Sequence, residues 1–184
     1  MSSISDWTKN VRAYHLPKWE ELPELSLYLD QVLEYIHSIL SPIFIQSTDK
    51  ESFLTAAMIN NYVKHRLIPA PIKKRYHRTH IAFIISMTIL KQVTNLNNVS
   101  QGTKALTKKL GKEKAYDTFV SYLEKGLKFI VLEINDEVDN VYLTEQTEPH
   151  LLPLKMTILA FASKMLAEYL LGNIEKNEGE QQHE

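Results

Sequence analysis

Long stretches of this chain repeat apolar side chains every three or four residues, which is the spacing of one face of an α-helix. The clearest case is residues 112–136, where the stripe predicts a long amphipathic helix. Its members are Ala115, Phe119, Val120, Leu123, Leu127, Ile130, Val131 and Ile134. Only 5 of the 184 residues are glycine, which disfavours a turn-rich β fold. The sequence therefore predicts an all-α, mainly helical protein.

Similar spacing and local end signals predict further helices. Thr55 and Thr79 are good N-caps, Gly111 and Gly172 are good stops, and residues 1–18 are expected to form a loose arm. The predicted helices are residues 19–40, 56–65, 80–94, 99–110 and 151–171.

Two of these predicted helices are apolar around most of their circumference. Such a helix must be buried on all sides. We therefore expect residues 80–94 to form the central helix of the core. For residues 151–171 two arrangements remain open, namely burial within one chain or burial in a symmetric dimer.

Composition excludes several kinds of site. With no cysteine, the chain has no disulfide, no thiolate metal site and no cysteine nucleophile. It also lacks the glycine-rich phosphate loops and the nucleophile elbow. We therefore expect no enzyme activity, no cofactor and no metal site. The N-terminus has no apolar run, and charged residues interrupt the apolar stretch 151–171, so we expect a soluble, cytoplasmic protein with no membrane partner.

The charge of the chain is sharply segregated. Residues 52–112 contain no Asp or Glu but carry eleven Lys and Arg residues, a charge of +11. Since the whole chain carries −1, the remaining residues carry −12. A segment of this kind predicts a positive surface for a polyanion. A solvated basic face that pairs with the acidic segments is the simpler alternative.

The basic segment contains a recognisable order of elements. A Thr-capped short helix is followed by prolines, a basic strand or loop and an apolar helix, in residues 55–94. This order and the sequence of residues 58–81 resemble the winged helix-turn-helix head of MerR-type regulators. In that family the short helix ends in Arg-Tyr-Tyr and Gly-Leu-Ile-Pro, and a basic wing follows.

A closer resemblance is to a bacterial family known as domain of unknown function 1836. Three short runs carry it: Leu-Pro-Lys-Trp-Glu-Glu-Leu-Pro at 16–23, Met-Ile-Asn-Asn-Tyr-Val-Lys at 58–64 and Lys-Arg-Tyr at 74–76. The run Ile-Leu-Lys-Gln-Val at 89–93 completes the pattern. The resemblance implies a MerR-like fold and a regulator, and it implies no established activity.

The chain departs from the MerR pattern at several positions. Asn60 and Asn61 stand in place of the Arg and the first Tyr, and only Tyr62 is retained. Arg66 stands where glycine usually ends the helix, so either it adopts a left-handed conformation or the helix ends differently. The wing is also short, with no glycine between Pro71 and Tyr76.

The resemblance implies a set of DNA contacts that the residue types can make. Asn60 and Asn61 suit adenine in the major groove, where an amide forms a bidentate pair. Tyr62 either donates its hydroxyl to a phosphate or packs in the core. The basic residues expected at phosphates are Lys64, Lys73, Lys74, Arg75 and Arg78.

The sequence thus predicts three regions: a MerR-like DNA-binding head (16–95), a helical dimerisation or effector region (96–172) and a flexible tail (173–184). The predicted function is a transcriptional regulator that binds double-stranded DNA as a homodimer, with no identified effector. The alternative is a protein-interaction module on the same scaffold that no longer binds DNA.

Overall fold

The computed structural model describes residues 4–44, 53–135 and 141–181, with side chains as far as residue 173. In these ranges it contains helices and no strand, which confirms the predicted all-α class. The helices are α1 (Ile4–Ala13), α2 (Leu29–Leu40), α3 (Ala56–Lys64), α4 (Arg78–Leu90), α5 (Leu96–Leu110), α6 (Lys112–Ile134), α7 (Val141–Thr144) and α8 (Leu152–Gln181).

Helix α4 is the centre of the core, as its all-round apolar sequence predicts. Ten of its thirteen residues are buried, and α2, α5, α6 and α8 pack against it. The helix begins at Arg78, two residues before the predicted start. Thr79 is therefore not its N-cap, because His77 occupies that position.

The local signals at two other helix ends, Thr55 and Gly111, are confirmed. The side chain of Thr55 caps α3 by accepting the Met58 N–H at 3.2 Å. Gly111 ends α5 with φ of +83° and separates it from α6. Helix α5 starts three residues earlier than predicted, because the Asn95 side chain accepts the Asn98 N–H at 2.9 Å.

The N-terminal segment is not the loose arm that its sequence predicts. Residues 4–13 form α1, which packs on α6. Trp7 and Val11 are buried, and the Trp7 ring stacks on Tyr169 of α8 at a centroid distance of 4.6 Å. This helix is stabilised by contacts that are distant in sequence, and local spacing does not reveal them.

The predicted helix 19–40 is wrong in its first half. A 3₁₀ turn covers Trp19–Glu21, and α2 begins only at Leu29. Between them Leu27 lies extended and exchanges two backbone hydrogen bonds with Tyr76, at 2.9 and 2.8 Å. This pairing and Pro23 keep the segment out of the helix. The predicted connector that follows α2 lies partly outside the described residues.

Helix α8 buries one face only. It runs through Gly172 to Gln181, so the predicted stop at Gly172 is wrong. Ile158, Phe161 and Ala162 are buried, as burial within one chain requires. The opposite face leaves large apolar side chains exposed, namely Leu152, Met156, Leu170 and Leu171. Within the described ranges, no helix has the length and hydropathy that a membrane span requires.

Two helical glycines allow a matched test of the packing. A Cβ added at Gly126 of α6 lies 2.8 Å from Cγ2 of Ile158 in α8, whereas a Cβ at Gly102 of α5 meets nothing within 4 Å. Gly126→Ala is expected to lower the free energy of unfolding by about 1–3 kcal/mol through overpacking. Gly102→Ala is expected to raise it by up to about 1 kcal/mol through helix propensity. Urea denaturation measures both, and equal effects would contradict the α6–α8 contact.

Candidate nucleic-acid interface

The predicted contact residues lie on α3, on the segment that follows it and at the start of α4. The segment leaves α3 at His65, passes Pro69 and Pro71, reverses direction in a hairpin at residues 72–75 and enters α4 through Tyr76 and His77. We call residues 72–75 the hairpin. Most of these residues are exposed, whereas Leu67, Ile68 and Tyr76 are buried and anchor the segment.

Helix α3 ends in a Schellman motif with arginine in the position that favours glycine. The Leu67 N–H donates to Tyr62 O at 2.9 Å, and the Arg66 N–H donates to Val63 O at 3.0 Å. Arg66 has φ of +55°, so it adopts the left-handed conformation that the sequence offers as one of two alternatives. A non-glycine residue there costs about 1–2 kcal/mol.

The hairpin is a two-residue turn with lysine at both central positions. Ile72 and Arg75 exchange two backbone hydrogen bonds, at 3.0 and 2.9 Å. Lys73 and Lys74 have φ of +50° and +62°, which is the pattern of a type I′ turn. Such turns favour Asn-Gly, so two lysines hold this shape against their conformational preference. The result is a tip with two exposed ammonium groups.

The base of the hairpin is fixed to the core. Tyr76 pairs with Leu27 and is 3% exposed. His80 of α4 accepts the His77 N–H at Nδ1 and donates from Nε2 to Ala70 O, both at 3.0 Å. One buried ring therefore caps α4 and holds the chain before the hairpin. Nothing local in the sequence indicates the contact with Ala70.

Arg75 is exposed but held in place. Its guanidinium donates to Tyr28 Oη at 2.9 Å and to Ser26 O at 3.3 Å. It also lies 4.2 Å from the centre of the Tyr28 ring. None of these partners carries a negative charge, so Arg75 keeps its full positive charge at the surface.

Arg78 differs from the other predicted cations because it has an acidic partner. Its Nη1 lies 3.1 Å from Oε2 of Glu20, and its guanidinium lies 5.9 Å from the Trp19 ring. Its side chain is only 20% exposed. Arg78 therefore joins the start of α4 to the Trp19–Glu21 turn. Because Glu20 compensates its positive charge, Arg78 is less suited to bind a phosphate.

Three polar residues form an open face on α3. Asn60, Asn61 and Lys64 are exposed, and their spacing places them within one turn of the helix. Their side chains make no hydrogen bond or ion pair with any residue in the described ranges. The same holds for Lys73 and Lys74. Five of the eight predicted contact residues are thus accessible and unengaged within the part of the chain that the structure describes.

Tyr62 lies on the opposite side of α3, in the core. It is 2% exposed, and burial raises the pKa of its hydroxyl to about 12. Lys91 Nζ lies 6.0 Å from the ring centre and donates to Phe53 O at 2.7 Å. Of the two roles that the sequence offers for Tyr62, this position matches core packing, and we leave Tyr62 out of the contact set.

Helix α5 braces the end of α3 through contacts that no local feature of the sequence indicates. Ser100 Oγ donates to Leu67 O at 3.1 Å, and Lys104 Nζ donates to Arg66 O at 2.9 Å. These bonds satisfy carbonyl groups just beyond the end of α3 and fix the direction in which its exposed face points.

The electrostatics of this region follow from its sequence. Within the described ranges, the pair of Arg78 with Glu20 is the one ion pair that residues 53–112 make with a carboxylate. Lys64, Lys73, Lys74 and Arg75 therefore carry four uncompensated charges. The described residues contain no group of three or more His, Asp or Glu side chains placed to bind a metal.

Comparison with protein families gives a match. The family described as "Domain of unknown function (DUF1836)" matches residues 17–141. This range covers α2 to α6 and includes every residue of the candidate interface. No curated protein and no solved structure matches the chain.

The strained end of α3 gives a stability prediction. Arg66→Gly is expected to raise the free energy of unfolding by about 1 kcal/mol, because glycine adopts positive φ without a Cβ clash. Arg66→Ala removes the same charge but keeps the Cβ, so it is expected to give no such gain. Urea denaturation of both variants isolates the backbone strain; an equal gain in both would attribute the effect to charge instead.

Proposed function

The chain belongs to the DUF1836 family, and from the geometry of its basic segment we propose that it is a transcriptional regulator. In this proposal the protein binds double-stranded DNA through a MerR-like winged helix-turn-helix. Helix α3 is the recognition helix, and the hairpin is a shortened wing. The protein acts in the cytoplasm, without enzyme activity.

The observation that carries the proposal is the pair of lysines at the hairpin tip. Lys73 and Lys74 are exposed, unpaired with any described residue and held at positive φ. A fold does not need lysine there, because Asn-Gly makes the same turn with less strain. Strained backbone that lowers stability is typical of functional positions. Two positive charges at this tip suit a phosphate backbone.

The exposed face of α3 supports the sequence-reading part of the proposal. The amides of Asn60 and Asn61 have the donor and acceptor that pair with N6 and N7 of adenine in the major groove. Lys64, one turn further on, is placed for a phosphate at the edge of the groove. Lys64, Arg75 and the two hairpin lysines together supply four free charges. A plot of log DNA affinity against log salt concentration is therefore expected to have a slope of roughly −3.6 per head.

A homodimer is part of the proposal, with residues 96–172 as the dimerisation or effector region. Helix-turn-helix regulators bind two half-sites through a two-fold symmetric dimer. Helix α8 leaves an apolar face exposed at Leu152, Met156, Leu170 and Leu171, which a second copy would cover.

The alternative is a protein-interaction module that has lost DNA binding. The burial of Tyr62 and the pairing of Arg78 with Glu20 favour it, because both remove a predicted DNA contact. The basic surface would then bind an acidic protein. Binding to DNA separates the two proposals.

The first test selects from a pool of random duplexes at about 50 mM and about 200 mM salt. We expect an enriched palindromic motif from the wild-type protein. Asn60→Ala with Asn61→Ala should weaken binding to this motif by at least about 30-fold, because each of the two lost base contacts costs about 1–3 kcal/mol. Both side chains are exposed, so the variant should keep the stability of the wild type.

Three outcomes are informative here. Retention without an enriched motif would restrict the contacts to phosphate and contradict the role of the two asparagines. No retention even at low salt would contradict DNA binding and support the interaction module. Enrichment that survives in the double variant would place the reading residues elsewhere.

The hairpin gives a sharper test, because one variant separates its shape from its charge. Lys73→Asn with Lys74→Gly keeps the type I′ turn and removes both charges. We expect the free energy of unfolding to rise by about 1 kcal/mol or more, since the strain is relieved. We expect DNA affinity to fall and the log–log salt slope to decrease in magnitude by about 2.

The control for this variant is Lys114→Gln with Lys128→Gln. Both lysines are exposed on α6, so the control removes the same net charge away from the hairpin. It is expected to leave the salt slope unchanged. If the hairpin variant becomes more stable but binds DNA as tightly as the control, the hairpin is not a DNA contact.

A further inference from the structure

A pocket of about 630 Å³ lies between α4, α5, α6 and the start of α8. Its walls are mostly apolar and include Ala82, Phe83, Leu106, Phe119 and Leu154. Protein interiors rarely leave voids larger than a water molecule. A space of this volume lies in the range of pockets that bind small molecules. Of the aromatic residues of the C-terminal half, Tyr116 and Phe119 contribute to it.

The pocket stays open because of the residues that α5 turns toward it. Gly102 and Ala105 line the wall, and a Cβ added at Gly102 meets no atom within 4 Å. Helix α5 packs on α4, and Ser100 and Lys104 also bind it to the end of α3. Small side chains at positions 102 and 105 leave room that larger apolar residues would fill.

One end of the pocket is basic. Lys109, Lys112 and His150 line it, and no Asp or Glu is among the lining residues. Lys109 Nζ lies 3.0 Å from His150 Nδ1, and Glu148 Oε2 lies 3.2 Å from the same atom. Lys112 makes no ion pair with a described residue. This end is therefore suited to a negative charge.

His150 also has a buried donor without an acceptor. The ammonium of Lys109 can only donate, so a hydrogen bond from it to Nδ1 leaves the ring proton on Nε2. In this tautomer Nε2–H is a donor. This atom is buried and has no hydrogen-bond partner within the described part of the chain. A buried unsatisfied donor is unfavourable, and a ligand oxygen that reaches it removes that cost.

Two of the hydroxyl groups in the walls are already engaged by the protein. Ser86 Oγ donates to Ala82 O at 2.9 Å, and Thr157 Oγ1 donates to Pro153 O at 2.8 Å. Both donors are occupied by their own helices, so they offer little to a sugar or another polyhydroxyl ligand. The cationic side chains among the lining residues are Lys109 and Lys112, and His150 lines the pocket with them.

We propose that this pocket binds a small carboxylic acid with an apolar tail. The carboxylate accepts the proton of His150 Nε2 between Lys109 and Lys112, and the tail lies along Phe83 and Phe119. The proposal does not depend on DNA binding, and its test contains no nucleic acid.

The test uses decanoate as the probe and decan-1-ol as its uncharged match, measured by isothermal titration calorimetry. The wild-type protein is expected to bind decanoate at least about tenfold more tightly than decan-1-ol, because only the acid uses the basic end. No decanoate binding at about 1 mM would overturn the proposal. Equal affinity for the two probes would overturn the role of the basic end.

Two kinds of variant locate the site. Gly102→Leu places a side chain in the pocket without a backbone clash, so it is expected to raise the melting temperature and abolish decanoate binding. His150→Leu is expected to weaken decanoate about tenfold and to leave decan-1-ol unchanged, whereas His150→Gln keeps an N–H donor and most of the affinity. Unchanged decanoate binding in Gly102→Leu would place the probe outside this pocket.

Discussion

Helix α4 is apolar on every side, and a helix of this kind is stable in water only when other helices enclose it. Each of its buried isoleucines contributes roughly 1.5–3 kcal/mol. This requirement arranges α2, α5, α6 and α8 around one axis. The N-terminus of the same helix emerges at the surface directly after the hairpin. The position of the basic segment thus follows from the burial of α4. The exposed lysines do not determine where the segment lies.

His80 connects this buried helix to the surface segment. Its ring satisfies two backbone groups, one on each side of the hairpin, at His77 and Ala70. Buried polar backbone groups require such partners. Because the ring belongs to the first turn of α4, a correctly packed core also closes the base of the hairpin. Tyr76 adds a second attachment through its pairing with Leu27.

The sequence predicts those features that depend on neighbouring residues. The Thr55 cap, the Gly111 stop and the stripe of α6 are local, and all three are confirmed. Predictions from the sequence are wrong where contacts between distant residues determine the local structure. Helix α1 forms because Trp7 reaches Tyr169, and residues 22–28 stay out of the helix because Leu27 pairs with Tyr76.

The candidate interface also has some features that local sequence predicts and others that depend on distant residues. Helical spacing and charge place Asn60, Asn61 and Lys64 on an exposed face. Spacing alone does not reveal that Glu20, which lies 58 residues away, holds Arg78. Nor does it reveal the type I′ shape of the hairpin, because Lys-Lys contradicts the residue preference of that turn. The pocket depends on how far α5 stands from α4, which is a tertiary property.

The three left-handed residues Arg66, Lys73 and Lys74 have a consequence for how this chain responds to selection. Each is a position where a common substitution relieves strain, so a screen that rewards heat resistance alone will accumulate changes there. The turn would survive in such a lineage while its positive tip is lost. If related sequences keep lysine at the tip, selection there acts on a property other than stability.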